Sequence, residues 1–557
     1  MMRNIIRGAA LVALVGIGAC DKQLTVDNPN SANTGRALVT PNDIEAFLGS
    51  YYRRWHTGIY GSQSNQGGMA AVMSFETYST LSNNCIGQRV GIPRAGNDNS
   101  IGNLCAPEQK RVYDYENEVV RVASSLLGRV ETEGFTLGTP ARDFRAKAFA
   151  QFLRGLALGT LSLTYDSTAI VTKDVDALDP GEFFGYQDVN KASLAALDTA
   201  IQYATACAGV GSASECTLDA NWIPSSTTFT SGEFVRLAHA YKARFRAGVA
   251  RTPEERAAVD WAAVIADAQA GITADHDNIT STTSGPSDSW RQAFDGPGNY
   301  QAQPPFIIGM ADTSGAYASF IALPLEDRGP SFHMQTPDKR LPQGLTRKDQ
   351  QDDFKISSCA GASQKCKRYI ANRASNSDLA AQIPWGGTEY DFNRFHSWRS
   401  RGDGTARNGS LVFFTLAEQN LLEAEGQYRL GHYPEAAALI NKTRVANGGL
   451  PAITAFDATT AVPGGNACVP KVPVAPNYNT IACGNMFEAL KWEKRLETEN
   501  THWMAWFIDS RGWGDLPEGT PLYWATPFSD LQVRGKTVYS VGGSSALGKA
   551  AKGTYGF

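Results

Sequence analysis

Apolar residues recur with a helical period most clearly between Phe414 and Pro451. Ala417, Leu421, Ala424 and Tyr428 fall at i, i+4, i+7 and i+11, one face of a 3.6-residue period. Gly431 sits where that helix must stop, because glycine takes the left-handed conformation of a helix end without steric cost. Pro434 falls in the next first turn, where a missing N–H is tolerated. Ala436, Leu439, Ile440 and Thr443 form one face of a second helix, and Gly448-Gly449 with Pro451 end it. The pattern predicts a helical hairpin whose facing stripes bury each other. Ala424, Ala436 and Ala437 are small enough to let the backbones approach.

Other stretches repeat the theme. The turn Gly431-x-Tyr433-x-Glu435-Ala436 resembles that of a tetratricopeptide unit. Thr40-Pro41-Asn42-Asp43 opens a helix that runs through Ile44, Phe47, Leu48, Tyr51 and Tyr52 toward Trp55. Lys110 to Val130 keeps Val112, Tyr115, Val119, Val122 and Leu126 in phase. Arg142–Tyr165 pairs with Val189–Ala206, and Glu233–Ala250 with Val259–Gly271; Met486–Arg511 follows the opening hairpin. Residues 56–108 form a long stretch rich in Gly, Ser and Asn, which is uncommon unless functional. Residues 273–410 are a different material, with many Gly, Pro, Ser and Asn and short β-like runs such as Pro305–Ile308. The reading is a mainly α fold: a tetratricopeptide-like helical repeat scaffold with a large irregular, loop-rich ligand-binding half. The repeats occupy 36–272 and 411–513, the irregular insertion is 273–410, and a turn-rich tail covers 514–557 with a strand at Thr537–Val541. Together, 36–557 form a single unit.

The N-terminus predicts export. Arg3 and Arg7 precede an apolar run, Ala9 to Ile17, and Ile17-Gly18-Ala19-Cys20 closes it with small residues before a cysteine. This is the pattern of a bacterial lipobox: residues 1–19 are the signal peptide, and Cys20 is the first mature residue and carries lipid. The alternative is a plain signal peptide with an incidental cysteine. Residues 20–35 then form a polar tether. No later stretch approaches the roughly 20 apolar residues of a spanning helix, so the protein is anchored to a membrane and does not cross it.

Composition narrows the function. Basic and acidic residues number 51 and 55, so there is no positive surplus for phosphate backbones and nucleic acid is excluded as a partner. Removing Cys20 from the nine cysteines leaves four sequence-local pairs: Cys85/Cys105, Cys207/Cys216, Cys359/Cys366 and Cys468/Cys483. Local disulfides pinning loops are the natural reading in an oxidising compartment; the alternative is free thiols. No CxxC spacing occurs and the His residues are scattered, so no metal site and no cofactor are expected.

Chemical motifs are mostly negative. Gly543 to Lys549 after Val538–Val541 imitates a phosphate loop, but Ala550 stands where Ser or Thr must ligate the metal. Asn97-Asp98-Asn99 with Gly102 and Glu108 faintly echoes a calcium loop, but Asn97 replaces the first acid and Ile101 an oxygen ligand. HExxH, GxSxG and GxGxxG are absent, and no catalytic residue is assigned. The positive signal is aromatic residues in irregular polar stretches: Tyr78, Trp290, Tyr300, Phe306, Tyr317, Phe320, Trp385 and Trp398. Sugar C–H faces stack on such rings, while Asn83, Asn84, Asp288, Arg291 and Gln292 suit the hydroxyls. The candidate ligand-binding set is Tyr78, Asn83, Asn84, Trp290, Arg291, Tyr300, Tyr317 and Trp385. The competing reading is that each ring fills a small core under a long loop. Trp492, Trp503, Trp506, Phe507 and Trp513 lie on or beside a helix and are read as core.

These pieces resemble a known family. The lipobox, Asn28-Pro29-Asn30, Ala417-Glu418…Ala424-Glu425…Gly431…Ala436…Ile440-Asn441…Arg444…Gly449-Leu450-Pro451, and Glu488-Ala489-Leu490…Glu493-Lys494-Arg495…Glu497 with Trp506…Asp509…Arg511-Gly512 are similar to the SusD/RagB outer-membrane nutrient-binding lipoproteins. The resemblance is strongest over 410–513. It implies a tetratricopeptide-like scaffold with an irregular ligand-binding half and no catalysis. It implies an outer-membrane, surface-exposed, lipid-anchored protein that delivers glycans or other oligomeric nutrients to a SusC-like TonB-dependent transporter, acting as its lid. The alternative reading is a tetratricopeptide-type adaptor that grips a protein or peptide.

Overall fold

The computed structural model describes residues 40–62, 66–78, 85–175, 179–281, 286–289, 291, 302–324, 327–328, 332–353, 359–360, 365–366, 368–373, 388–395, 408–545 and 547–557. Cys20, the signal peptide and the tether lie outside them. The chain divides into two units, Met1–Ile44 and Glu45–Phe557. The described part of the first, 40–44, starts the helix Pro41–Tyr60, with Thr40 Oγ1 accepting from Asp43 N–H at 3.2 Å. The rest of this description concerns the second.

Helices there start where short polar side chains cap them. The oxygens of Thr139, Thr230, Asp260, Thr415 and Asn485 accept from the backbone N–H of Arg142, Glu233, Ala263, Glu418 and Glu488. Each cap satisfies a donor the helix cannot, worth about 1 kcal/mol. The helices then pack in succession. Ala106–Leu127 lies on Pro140–Thr164, and Pro140–Thr164 on Tyr186–Val210. Ser231–Gly248 packs on Tyr186–Val210 and on Trp261–Gln269. Trp261–Gln269 packs on Leu416–Arg429, and Leu416–Arg429 on Tyr433–Ala446 and Met486–Thr498. Gly159 permits one close approach: a Cβ there would sit 2.2 Å from the Phe245 ring. The opening hairpin stands as read. Leu421, Ala424, Ala436, Ala437 and Ile440 share one buried core with Ala489 and Leu490, and Gly431 has φ +80°.

The irregular segment leaves and returns through one antiparallel strand pair, His276–Thr280 with Gly409–Phe414. Its interior is joined to the helices by a second core in which Phe306, Ile308, Tyr369 and Phe392 meet Trp492, Leu496 and Trp506.

Several local readings differ. Pro305–Ile308 belongs to the helix Pro305–Ala311, because Pro304 and Pro305 start a first turn and every residue of the turn is buried. Thr537–Val541 forms no strand; Val541 makes a single bridge to Asn97. The loop region 56–108 contains a helix, Gln66–Met73, whose residues are all buried and which therefore shows no polar face to mark it. Met486–Arg511 is two helices, Met486–Thr498 and Ala505–Trp513, separated at the left-handed residues Asn500 and Met504.

The motif residues of 410–513 are buried staples. Arg244 grips Glu418 through Nε and Nη2 at 2.8 and 2.7 Å. Arg340 Nη1 reaches Glu493 at 2.6 Å and Glu497 at 3.1 Å, while Asp338 holds the same guanidinium and accepts from Trp492 Nε1 at 3.0 Å. Arg495 pairs with Asp515 at 2.5 Å. Arg511 donates to the carbonyls of Leu163, Gly248 and Leu522 at 2.9 Å, closing two helix ends.

Disulfides join Cys85–Cys105, Cys207–Cys216 and Cys468–Cys483. Cys359 and Cys366 face each other across a two-residue ladder. Among the described residues, no helix is long and apolar enough to cross a membrane.

Candidate functional site

Three distant segments meet in one hydrogen-bonded patch. Tyr78 and Ala302 exchange N–H···O bonds at 2.8 and 2.9 Å. Gln303 N–H donates to Tyr390 O at 2.8 Å, and Thr388 N–H to Gln303 O at 3.2 Å. Arg373 N–H donates to Glu389 O at 2.7 Å, extending the strand pair Ile370–Asn372 with Tyr390–Phe392. The patch is tied to the helices below: Gln303 Nε2 donates to Glu499 Oε1 at 2.6 Å.

A polar and aromatic cluster lies on it. Glu389 accepts from His333 Nδ1 at 2.9 Å and from Asn372 Nδ2 at 3.0 Å, and pairs with Arg347 at 3.3 Å. These groups are partly open, with side-chain exposures of 28% for His333, 19% for Glu389 and 29% for Arg347. Beside His333, the half-buried rings of Phe332 and Phe320 pack with centroids 5.2 Å apart. Half-buried rings can stack on a ligand's C–H face, and a partly open carboxylate, guanidinium and imidazole can bind hydroxyls.

The candidates from the sequence distribute unevenly. Asn83, Asn84, Trp290, Tyr300 and Trp385 lie outside the described residues, as do Gln292 and Trp398. The structure places Tyr78, Arg291 and Tyr317 in the interior. Tyr78 is 4% exposed, and burial pushes its phenol up to about 12. Arg291 is 1% exposed; its Nε lies 2.9 Å from Asp288 Oδ2, its Nη1 donates to Val412 O, and the Tyr60 and Phe413 rings flank it. The Tyr317 ring covers Gly309, where a Cβ would sit 2.2 Å away, and burial raises its phenol. Phe306 is likewise core, against Phe75 and Tyr555. In this structure these four side chains support the irregular half from beneath. Sequence reading missed His333, Arg347, Asn372 and Glu389. They sit in separate short stretches without periodicity, so no local signal marks them.

No protein-family model matches the chain, and no curated protein matches its sequence. Solved structures do match. A SusD-like protein from Bacteroides fragilis is similar at 14% sequence identity, covering 85% of this chain and 86% of that chain with a TM-score of 0.51. A SusD homolog from Parabacteroides distasonis is similar at 12% identity, covering 86% of each chain with a TM-score of 0.50. The chain therefore has the mainly helical fold of these SusD-like structures.

Proposed function

We propose that this chain is a lipid-anchored, surface-exposed nutrient-capture protein of the SusD kind. It gathers a glycan or another oligomeric nutrient and hands it, as a lid subunit, to a TonB-dependent outer-membrane transporter. The observation that carries this reading is the extent of the likeness in fold, over 85% of this chain and 86% of the matched one. The lipobox ending at Cys20 supports the anchor. The partly open group of His333, Arg347 and Glu389 supports the capture by offering hydrogen-bonding side chains, and the half-buried pair Phe320 and Phe332 offers ring surface. In this reading Asn83, Asn84, Trp290, Tyr300 and Trp385 are further ligand contacts, on the strength of the sequence alone. Binding energy comes from stacking and hydrogen bonds, with no covalent step.

Gentle detergent extraction tests the partnership: a large β-barrel should co-purify with the tagged chain. Glycan titration tests the site: Phe332→Ala should weaken binding about tenfold, the loss of one stacking contact. A clean monomer in mild detergent, together with silence toward glycans, would overturn the reading.

A further inference from the structure

We infer that the cleft between the Ala106–Leu127 helix and the 528–534 segment binds a neutral, hydroxyl-rich ligand such as a short sugar. It encloses about 480 Å³, within the size range of small-molecule sites. One wall is a single helical face, with Asp114, Asn117, Glu118 and Arg121 at i, i+3, i+4 and i+7. Pro180, Asp530 and Arg534 form the other wall.

The walls are held in place before any ligand arrives. The Tyr113 hydroxyl donates to Asp530 Oδ2 at 2.6 Å. Arg534 pairs with Asp530 at 3.2 Å, donates to Pro180 O at 2.8 Å and to Gly181 O, and lies 4.2 Å over the Phe183 ring. A preformed cleft spares a ligand the cost of ordering it.

Charge selects the class of ligand. Asp114 is paired with Lys110, Glu118 with Arg54 at 2.5 Å, and Asp530 with Arg534. Arg121 is engaged as well. Among the described residues that line the cleft every charged group is engaged, so an ionic ligand would have to break a pair. What the walls retain is hydrogen-bonding capacity. Carboxylates accept up to four bonds and an amide offers two donors and two acceptors. Asn117 uses one N–H on Tyr113 O at 2.9 Å and accepts from Thr168 at 3.1 Å, so it keeps a donor and an acceptor. Donors and acceptors alternate along one face, as neighbouring hydroxyls require, and Val122 and Pro180 offer apolar contact to C–H groups. The inference concerns the helical scaffold and does not depend on the function proposed above.

Saturation-transfer NMR on the full mature chain tests it, with maltose and cellobiose as neutral probes and digalacturonate as the anionic one. At least one neutral disaccharide should show transfer, digalacturonate none. Asn117→Leu should cut the signal at least fivefold. Pro180→Trp, at an exposed position, should do the same by filling the cleft, and it decides the matter if Asn117→Leu fails to fold. Both substitutions are made in a Phe332→Ala background, which removes transfer through the other cluster, so that the signal read is that of this cleft. Absence of transfer from both neutral probes, stronger transfer from digalacturonate, or transfer unaffected by Pro180→Trp would overturn the inference.

Discussion

Arg256 and Glu425 meet in the interior as a bidentate pair, Nε to Oε1 at 2.9 Å and Nη2 to Oε2 at 2.6 Å, with neither side chain reaching solvent. Asp509 takes Nη2 at 3.1 Å, and Trp513 Nε1 donates to Glu425 Oε1 at 3.0 Å. The pair thus ties Pro253–Ala257 to Leu416–Arg429 and Ala505–Trp513. Burial alone would raise the Glu425 carboxyl; Arg256 and then Lys494 hold it at about 2.

Arg256→Met should leave a buried carboxylate without its main partner and cost about 3–5 kcal/mol. Urea denaturation at pH 7 measures it. The acid limb gives a second check. A depressed carboxyl contributes stability above its ordinary value of 4.5, and that stability is lost as pH falls toward about 2. A variant with unchanged midpoint would mean the pair contributes nothing.

His56 predicts a loss of stability in mild acid. It is fully buried between the Tyr60 and Phe413 rings, at 4.8 and 5.4 Å. Burial first, and the Arg291 cation second, lower it to about 3. The unfolded chain takes up this proton below the ordinary value of 6.5 while the folded chain does not, so stability falls as pH drops from 6.5 toward 3. The expected loss from this residue between pH 7 and pH 5 is about 2 kcal/mol, and His56→Phe should remove it. His276 and His502, lowered to about 4 and about 3 by burial, act in the same direction and will keep the remaining slope.

Glu76 acts at the other end of the pH scale. Its carboxyl is 1% exposed, accepts from Asn500 N–H at 3.0 Å, and is raised by burial to about 8. A raised acid penalises the fold progressively as pH climbs from 4.5 through 8. Glu76→Gln should exceed the parent by roughly 1 kcal/mol at pH 5 and by about 3 kcal/mol at pH 7. Equal stability at both values would contradict the burial assignment.

The Cys85–Cys105 bridge closes a 20-residue separation. Replacing both cysteines with Ser should cost about 2–4 kcal/mol by freeing the unfolded chain. Thermal melts with and without reductant compare the two proteins.

Much of the scaffold was legible in the sequence. Helical period, proline near helix starts and glycine at stops are local properties, so the hairpin around Gly431 reads directly from its own residues. Pairing of nearby cysteines is similarly local. The buried helix Gln66–Met73 escaped because a segment covered on all sides carries no polar stripe. The break at 499–504 escaped because both flanks are almost wholly buried, so no polar stripe marks where one helix ends.

The sequence by itself determined a helical repeat scaffold, pinned loops and an irregular segment rich in rings. Only the tertiary structure decided which of those rings and charges face inward. Tyr78, Arg291 and Tyr317 read as ligand contacts because they are polar or aromatic residues in loops, yet all three are buried: Tyr78 and Arg291 against chain far away in sequence, Tyr317 against Gly309 and Phe332. Lys494, Arg495 and Glu497 are charged, yet they lie inside because Asp509, Asp515 and Arg340 neutralise them. Burial of a charge depends on a partner brought by the fold, and residues such as Arg340 and Glu493, 153 positions apart, leave no periodic trace of their meeting.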